Sequence, residues 1–532
     1  MPQIHHNDEI PENHSYTTKV EEKVMDGTSI EVLDSYFINE FVKVDIRKDL
    51  ETSRIFYSVT TEQLKEREIK TLEKMKESLS NGSDNSINFG SFSEREEYIN
   101  QILKRILAED GVNPEEVSLS RLKYFAKRDY LGYGKIDALL SDGNVEDISC
   151  DGVGIPLYVY HKKYQNLRTN IVFDGTQELN NFIVYLAQKG NKQISVSDPI
   201  LDTSTPEGNR INATYGKEVT AKGGTFSIRI FNKVPFSAVD LVKLGTASQD
   251  LMSYLWLSVE NGKNIVVLGG TGVGKTSTLN AIILFVPSTS KIVSIEDTRE
   301  IKIPHKNWIS AVTRSGVGEG RFVMGKNSGE IDMFDLLVSA LRQRPDYLIV
   351  GEVRGMESYN LFQAMSMGQT TITTIHAESI DDMIMRLENH PLNIPRTMLT
   401  SVNCVVKQSM VRINEGVERR ITEVSEVLRL DPESNELTFN TIFSWDKSKD
   451  MITFTGEPEL LKEIADKRNV SSEIVREDFN KRSKLIKYLA DMNITNYTDI
   501  WEYLRRYSEE PEKISIELNE YKDERGVSSV QR

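Results

Sequence analysis

Four short apolar runs recur through the middle of the chain, and each ends in a glycine or a polar residue. They are IVVLG (265–269), KIVSIED (291–297), DYLIVGE (346–352) and TTITTIH (370–376). Runs rich in Val and Ile without polar alternation read as strands buried on both faces. Helical patterns lie around and between them. Ser248 to Glu260 has Asp250 in its first turn and Gly262 just past its end. Asp332 to Arg342 sets Phe334, Leu337, Val338 and Leu341 on one face. Ser358 to Met367 stops at Gly368, and Ser379 to Asn389 stops before Pro391. Strands alternating with helices predict an α/β domain, a parallel sheet covered on both faces.

The flanking regions follow other rhythms. Strand-like alternation begins near Ser35 in SYFINEFVKVDI. Thr61 to Ser80 reads as a helix with Leu64, Ile69, Leu72 and Met75 on roughly one face, and SNGSDNS (80–86) as a loop. Two more helices are predicted over Glu94–Leu107 and Ser118–Leu131. NVEDISCDGVGIPLYVYHKKY reads as two short strands around Gly152 and Gly154, followed by a turn. A helix over Glu178–Lys189 and a strand pair bearing Arg210 and Arg229 complete an α+β N-terminal domain. NKVPFSAVDL, around Pro235, reads as a hinge. Short strand pairs are expected from about Val424, and helices after Glu459. The expected division is a flexible segment over 1–34, the α+β domain over 35–235, the α/β domain over 236–450 and a helical region over 451–532.

Composition narrows the class. Hydrophobic residues at 39% and charged residues at 27% fit a globular protein with a sizeable core. No apolar run approaches the ~18 residues of a membrane span. The first twenty residues carry no apolar stretch, so no signal peptide is expected. Cys150 and Cys404 are far apart and form no metal-binding pair, so a reducing, cytoplasmic setting is the default. A net charge of −15 argues against nucleic acid as a partner, although a local basic groove is compatible with it. His5, His6 and His14 read as part of a mobile polar terminus rather than as metal ligands.

The first of the four runs leads into the candidate chemistry. Gly269, Gly270, Thr271, Gly272, Val273, Gly274, Lys275, Thr276 and Ser277 match G-x-x-x-x-G-K-[ST], between a strand and a helix-compatible run from Ser277 to Leu284. Glycines let such a loop turn its N–H groups toward phosphate, and the helix N-terminus adds partial positive charge there. Lys275 is placed to reach the β- and γ-phosphates of ATP, and Thr276 to offer its hydroxyl to Mg²⁺. The alternative is a chance glycine turn. In an open parallel sheet, ligands bind beyond the carboxyl ends of the strands. Glu296 and Asp297, Gly351, Glu352 and Arg354, and His376 all occupy such ends. Glu352 is the candidate for orienting or deprotonating the attacking water; otherwise it is an exposed strand-end glutamate. Gly351 stands where many phosphate-loop ATPases place a metal-ordering Asp, so Glu296 is assigned that role, with a solvated loop acid as the alternative. His376 reads as a sensor of the γ-phosphate or as a satisfied structural group. The glycine-rich loop from Ser315 to Glu330 reads as a lid, an interface segment or a plain loop. Arg342, Arg344 and Arg354 answer either phosphate or neighbouring carboxylates.

Four boxes in order, GGTGVGKTS, SIEDTREI, RQRPDYLIVGEVRG and SMGQTTITTIHAES, resemble the motor ATPases of type II secretion, type IV pili and the archaellum. EDISCDGVGIPLYVYH, EGNRINATYG and SIRIFNKVP resemble the N-terminal domain of that family, and the resemblance covers about residues 100–430. The C-terminal NKRSKLIKYLADMNITNYTDIWEYL and the lack of a tetracysteine insert place it nearer the archaeal branch. The resemblance implies a RecA-like P-loop ATPase core and a homohexamer with nucleotide held between two domains. Arg210 and Arg229 match arginines that approach the terminal phosphates; a strand-surface ion pair is the alternative for each. It further implies a polytopic platform protein as partner and a cytoplasmic chain peripheral to the membrane. SMGQTT stands where many members carry a first histidine, so a two-histidine role does not transfer to His376. A nucleic-acid-translocating motor and a nucleotide-dependent switch with little hydrolysis are the competing classes. Which machine is driven, and in which direction, stays open.

Overall fold

A computed structural model describes residues 30–81, 92–110, 116–231, 234–314, 329–413, 416–510 and 513–514. The three N-terminal histidines, most of the 80–86 loop and most of the Ser315–Glu330 loop lie outside these residues. The chain divides into two compact units, Met1–Asn232 and Lys233–Arg532.

The first unit opens with a meander, β1 (Ile30–Asn39), β2 (Val42–Asp49) and β3 (Ile55–Thr61). Three helices follow, α1 (Glu66–Asn81), α2 (Phe92–Glu109) and α3 (Glu116–Tyr130), and share their own core around Leu72, Met75, Leu103 and Phe125. After the short α4 (Asp137–Ser141) come β4 (Val145–Cys150), β5 (Pro156–His161), β6 (Gln165–Val172), α5 (Thr176–Lys189), β7 (Ile200–Ser204), β8 (Arg210–Thr214) and β9 (Thr225–Arg229). All nine strands form one sheet in the order β1-β2-β3-β6-β5-β4-β9-β8-β7. Only the β3–β6 pair is parallel. The periodicity misplaces one boundary here. Thr61 pairs with Val42 as the last residue of β3, and helix begins only at Glu66. The turn expected after the two short strands stands at residues 162–164, and β6, which the sequence does not announce, follows it directly. The strand pair bearing the two arginines is a three-stranded ribbon, because β7 and β8 are the two arms of a hairpin beside β9.

The second unit begins with α6 (Ala238–Lys243), started by a reciprocal cap between Ser237 and Asp240, and α7 (Gln249–Glu260), capped by Ser248. Then come β10 (Ile265–Gly269), α8 (Lys275–Ile283), β11 (Ile292–Glu296), β12 (Trp308–Val312), α9 (Met333–Arg342), β13 (Tyr347–Val353), α10 (Glu357–Ser366), β14 (Thr370–His376), α11 (Ile380–Glu388) and α12 (Arg396–Leu399). β15 (Cys404–Ile413), β16 (Gly416–Leu430), β17 (Leu437–Asp446) and β18 (Met451–Phe454) follow, and α13 (Glu459–Arg468), α14 (Ser472–Asp491) and α15 (Tyr497–Glu509) close the unit. The sheet order is β12-β11-β13-β14-β10-β15-β16-β17-β18. From β12 to β15 every pairing is parallel; from β15 to β18 every pairing is antiparallel. One strand, β14, separates the strand before the glycine loop from the strand bearing Glu352, the RecA-like arrangement. β10 and β11 are buried at every position, as their unbroken apolar runs require.

β12 and β15 are strands that periodicity alone does not reveal. β15 is apolar through Val406 while it lies beside β10, then alternates as half of a long hairpin with β16. One element thus carries two patterns. The C-terminal helices belong to the core of this unit: Leu460, Ile464, Val475 and Leu485 share a cluster with Leu251, Trp256 and Ile265. The Arg482 guanidinium, almost wholly buried, pairs with Glu260 and Asp478 and lies 4.5 Å from the Trp256 ring centroid and 5.1 Å from that of Tyr507. No helix of the described residues is long and apolar enough to cross a membrane.

Candidate nucleotide site

β10 delivers the chain to a loop whose backbone only glycine accommodates. A Cβ on Gly269 would lie 2.5 Å from the Gln408 carbonyl oxygen and from Val273 Cγ2. Gly272 and Gly274 adopt φ of 72° and 97°, the left-handed region. Gly274 is the residue before α8, so the first free N–H groups of that helix open into the loop. Thr271 and Gly272 are exposed at its tip, Val273 is buried, and Thr276 and Ser277 are half-buried in the first turn of α8. Lys275 Nζ donates to the carbonyls of Gly269 (3.0 Å) and Gly270 (2.8 Å). Burial pushes the Lys275 ammonium below its ordinary pKa, opposed by the charges of Glu352 and Glu300 and reinforced by Arg354.

The carboxyl end of β14 lies beside this loop, and those of β13 and β11 follow in sheet order. His376 pairs in register with Gly269 across β10 and β14, and its carbonyl accepts from Arg386. Glu352, half-buried near the end of β13, forms an ion pair with Arg354. Of the arginines weighed in the sequence, Arg354 therefore answers a neighbouring carboxylate. Glu296 ends β11 with 2% of its surface exposed. Its Oε1 accepts from the Glu300 N–H (2.8 Å) and the Ile301 N–H (2.7 Å). Among the described residues its Oε2 is buried with no hydrogen-bond partner. Burial drives the Glu296 carboxyl up to about 7, against the two N–H groups that favour its charged form.

The glycine before Glu352 has a local cause. A Cβ on Gly351 would sit 3.2 Å from Glu296 Cγ. The space an aspartate would need is filled by the buried glutamate of the next strand. The Gly351 carbonyl is held by Thr374 Oγ1 at 2.8 Å. Asp297, beside Glu296, is exposed and within 3.3 Å of Thr313 Oγ1.

In the first unit Arg210 and Arg229 stand directly opposite each other on β8 and β9. Arg210 Nη2 contacts Asp202 at 3.0 Å, and Arg229 Nε contacts Asp147 at 3.0 Å. Each thus makes the strand-surface ion pair named above as the alternative.

Among the described residues no three His, Cys, Asp or Glu side chains gather as a metal site. A divalent ion here would be held by phosphate oxygens, water and the Thr276 hydroxyl. That donor set suits Mg²⁺, which retains several waters and takes few protein ligands. The glycine cradle, and a Glu296 Oε2 that no described residue meets, fit a phosphate-bound, hydrated ion.

Two residues of this site carry no motif. Gln408, 2% exposed, accepts from Thr278 Oγ1 at 2.7 Å, and Arg419 Nε donates to the Gly272 carbonyl at 3.0 Å. They come from β15 and β16, more than a hundred residues after the loop. Only the strand register brings them there.

Residues 164–448 match the family described as "Type II/IV secretion system protein". An uncharacterized protein of Methanocaldococcus jannaschii is 37% identical over 345 residues, 65% of this chain and 61% of that protein. The chain therefore spans about three fifths of that relative's length. A type IV secretion system protein PtlH homolog of Bordetella bronchiseptica is 28% identical over 268 residues, 44% of this chain and 76% of its own. Among solved structures, the VirB11 ATPase from the Brucella suis type IV secretion system, in complex with sulphate, is 23% identical with a TM-score of 0.28, covering 57% of this chain and 97% of its own.

Proposed function

The chain belongs to the type II/IV secretion system protein family, and from that premise we propose that it is an ATPase that powers a pilus, archaellum or secretion machine. The observation that carries the proposal is the convergence at one edge of the parallel sheet. A glycine loop and a half-buried lysine open α8, Glu352 lies close enough for its charge to act on that lysine, and on the next strand along the sheet Glu296 ends β11 with one oxygen that no described residue meets.

ATP binds with its phosphates against the N–H groups of Gly270 to Thr276, and Lys275 exchanges the carbonyls of Gly269 and Gly270 for phosphate oxygens. Its partial desolvation makes that exchange favourable, since a buried ammonium gains more from a full negative charge than from two carbonyl dipoles. Thr276 would offer its hydroxyl to a bound Mg²⁺, which would supply charge neutralisation to the phosphates. Glu352 orients a water for in-line attack on the γ-phosphorus; the bond to the ADP oxygen breaks, and ADP and phosphate leave. Glu296, whose carboxyl burial pushes up to about 7, would hold through Oε2 a water of a bound Mg²⁺. His376 lies beside the loop as a sensor of the terminal phosphate. Arg210 and Arg229 serve as charge partners of that phosphate once they leave Asp202 and Asp147, a role supported by motif resemblance alone.

The proposed load is a polytopic platform protein at the cytoplasmic face of a membrane, worked on by a homohexameric ring, a reading supported by resemblance to the family. The test is phosphate release by the purified chain. Lys275→Ala and Glu352→Gln should each lower turnover by at least about a hundredfold. Activity retained in both overturns the site.

A further inference from the structure

Three glycines of the loop, Gly269, Gly272 and Gly274, are backed by one element outside the recognised boxes, the β15–β16 hairpin. The Gln408 carbonyl oxygen lies 2.5 Å, and its Nε2 3.0 Å, from the Cβ positions of Gly269 and Gly274, respectively. Met410 Cε lies 3.2 Å from that of Gly272. Across the hairpin, Arg419 Nε donates to the Gly272 carbonyl at 3.0 Å, with its Cδ 3.5 Å from the Gly274 Cβ position. The register of β15 on β16 shifts between Lys407 and Gln408, an irregularity that re-aims the strand where it meets the loop. Gln408 also reaches past the loop to α8, where Thr278 Oγ1 donates to its Oε1.

We propose that Gln408 and Arg419 are positioning residues for nucleotide binding: they hold the phosphate loop and the first turn of α8 in the shape that binds phosphate. The geometry divides the work. In a loop whose N–H groups turn inward, the carbonyls turn outward, and an outward carbonyl that accepts from a guanidinium is fixed in that orientation. Arg419 therefore sets the Gly272 peptide, and Gln408 sets the spacing between the loop and the helix that follows it. Arg419 also adds positive charge close to where the phosphates bind, without being one of their ligands. Its neighbour Arg420 points the other way, pairing with Asp450 (2.9 Å) and donating to the Leu244 carbonyl (3.2 Å). The clamp is thereby anchored to the chain that follows α6.

The inference rests on the loop binding nucleotide, as proposed above, and not on what hydrolysis drives. The test measures binding of a fluorescent ADP to the full chain, alongside KM and kcat for ATP. Arg419→Met removes one charge-assisted hydrogen bond and should weaken nucleotide binding about five- to tenfold, with kcat within about twofold. Arg419→Lys, which keeps the charge but not the fork, should recover part of the loss. Gln408→Leu should weaken binding further because it leaves the buried Thr278 hydroxyl without its acceptor; should that variant fail to fold, the surface pair at 419 decides. Unchanged affinity in Arg419→Met, alongside loss of binding in Lys275→Ala, overturns the clamp and leaves the nucleotide site standing. No binding by the unmodified chain overturns both.

Discussion

Two glutamates of the second unit are buried to nearly the same depth, Glu296 at 2% exposure and Glu426 at 1%. Burial raises both carboxyls, yet their surroundings differ in kind. Glu426 is satisfied at both oxygens. Oε1 accepts from Tyr254 OH (2.8 Å) and the Leu460 N–H (3.1 Å), and Oε2 accepts from the Glu459 N–H (2.8 Å) and Asn440 Nδ2 (3.2 Å). It ties the antiparallel end of the sheet to the first turn of α13, using N–H groups that the helix itself leaves unpaired. Glu296 is satisfied at one oxygen, and no described residue meets the other. A buried polar atom without a partner costs free energy, and folding alone gives no return for it. The comparison teaches that satisfaction, not burial or pKa, separates the carboxyl that builds the fold from the one proposed to meet a ligand.

The largest effect expected is at Glu296. Glu296→Gln keeps an oxygen for the Glu300 and Ile301 N–H groups but loses the charge. ATP turnover should fall about a hundredfold or more, with the denaturant midpoint nearly unchanged. Glu426→Gln should do the opposite. Its amide N–H₂ opposes N–H donors at the α13 terminus, so stability drops by about 1–3 kcal/mol in urea titration while kcat stays within a few-fold. If the two variants exchanged behaviours, the comparison would be broken.

A subtler variant sharpens it. Gly351→Ala puts a methyl 3.2 Å from Glu296 Cγ, which must shift the carboxyl by a few tenths of an ångström. Turnover should fall about tenfold with little change in nucleotide affinity, since catalysis depends on placement more steeply than binding does. An unaltered kcat would show that Glu296 need not be held where it is.

The smallest effect lies in the first unit, where a third buried carboxyl, Asp142, accepts from Tyr36 OH (2.6 Å), Tyr57 OH (2.5 Å) and the Asn144 N–H (2.9 Å). Beside it His161 Nδ1 accepts from the N–H groups of Lys163 (3.1 Å) and Tyr164 (3.3 Å). A proton on Nδ1 would oppose both donors. Burial depresses the His161 pKa, with the charges of Lys163 and Lys162 in support and those of Asp142 and Asp34 in opposition. A depressed folded-state pKa means stability that is present above the unfolded value near 6.5 and lost as pH falls through the lower folded value. The difference in melting temperature between the unmodified chain and His161→Gln should therefore shrink below about pH 6. A difference independent of pH would show that the imidazole is not held neutral.

Much of the second unit is legible in the sequence because its strands are short, apolar and punctuated. Gly269, Glu296, Glu352 and His376 all stand at strand ends, and the parallel-sheet rule assigns strand ends to ligands before any coordinates exist. β3, β6, β12 and β15 are harder to read because half-exposed strands carry mixed patterns that pairing partners, not propensity, resolve. The Thr61 boundary shows the same competition: a helix-compatible run yields its first residue to a neighbour that offers a strand ladder.

By itself the sequence determined the loop and its chemistry. G-x-x-x-x-G-K-T needs no distant partner to state that backbone N–H groups and a lysine can gather around phosphate. The same local reading predicts the parallel sheet from runs such as IVVLG and TTITTIH, since full burial leaves no alternation to hide the pattern. What only the tertiary structure decided is which polar groups are spent. Glu296 and Glu426 are both glutamates at the ends or middle of apolar strands, indistinguishable by residue type. Their difference lies in whether N–H groups from other segments reach them. Gln408 and Arg419 belong to the same category, because register across a hairpin joins residues that local periodicity never compares. Hydrogen-bond satisfaction is a property of surroundings, and surroundings exist only once the chain has folded.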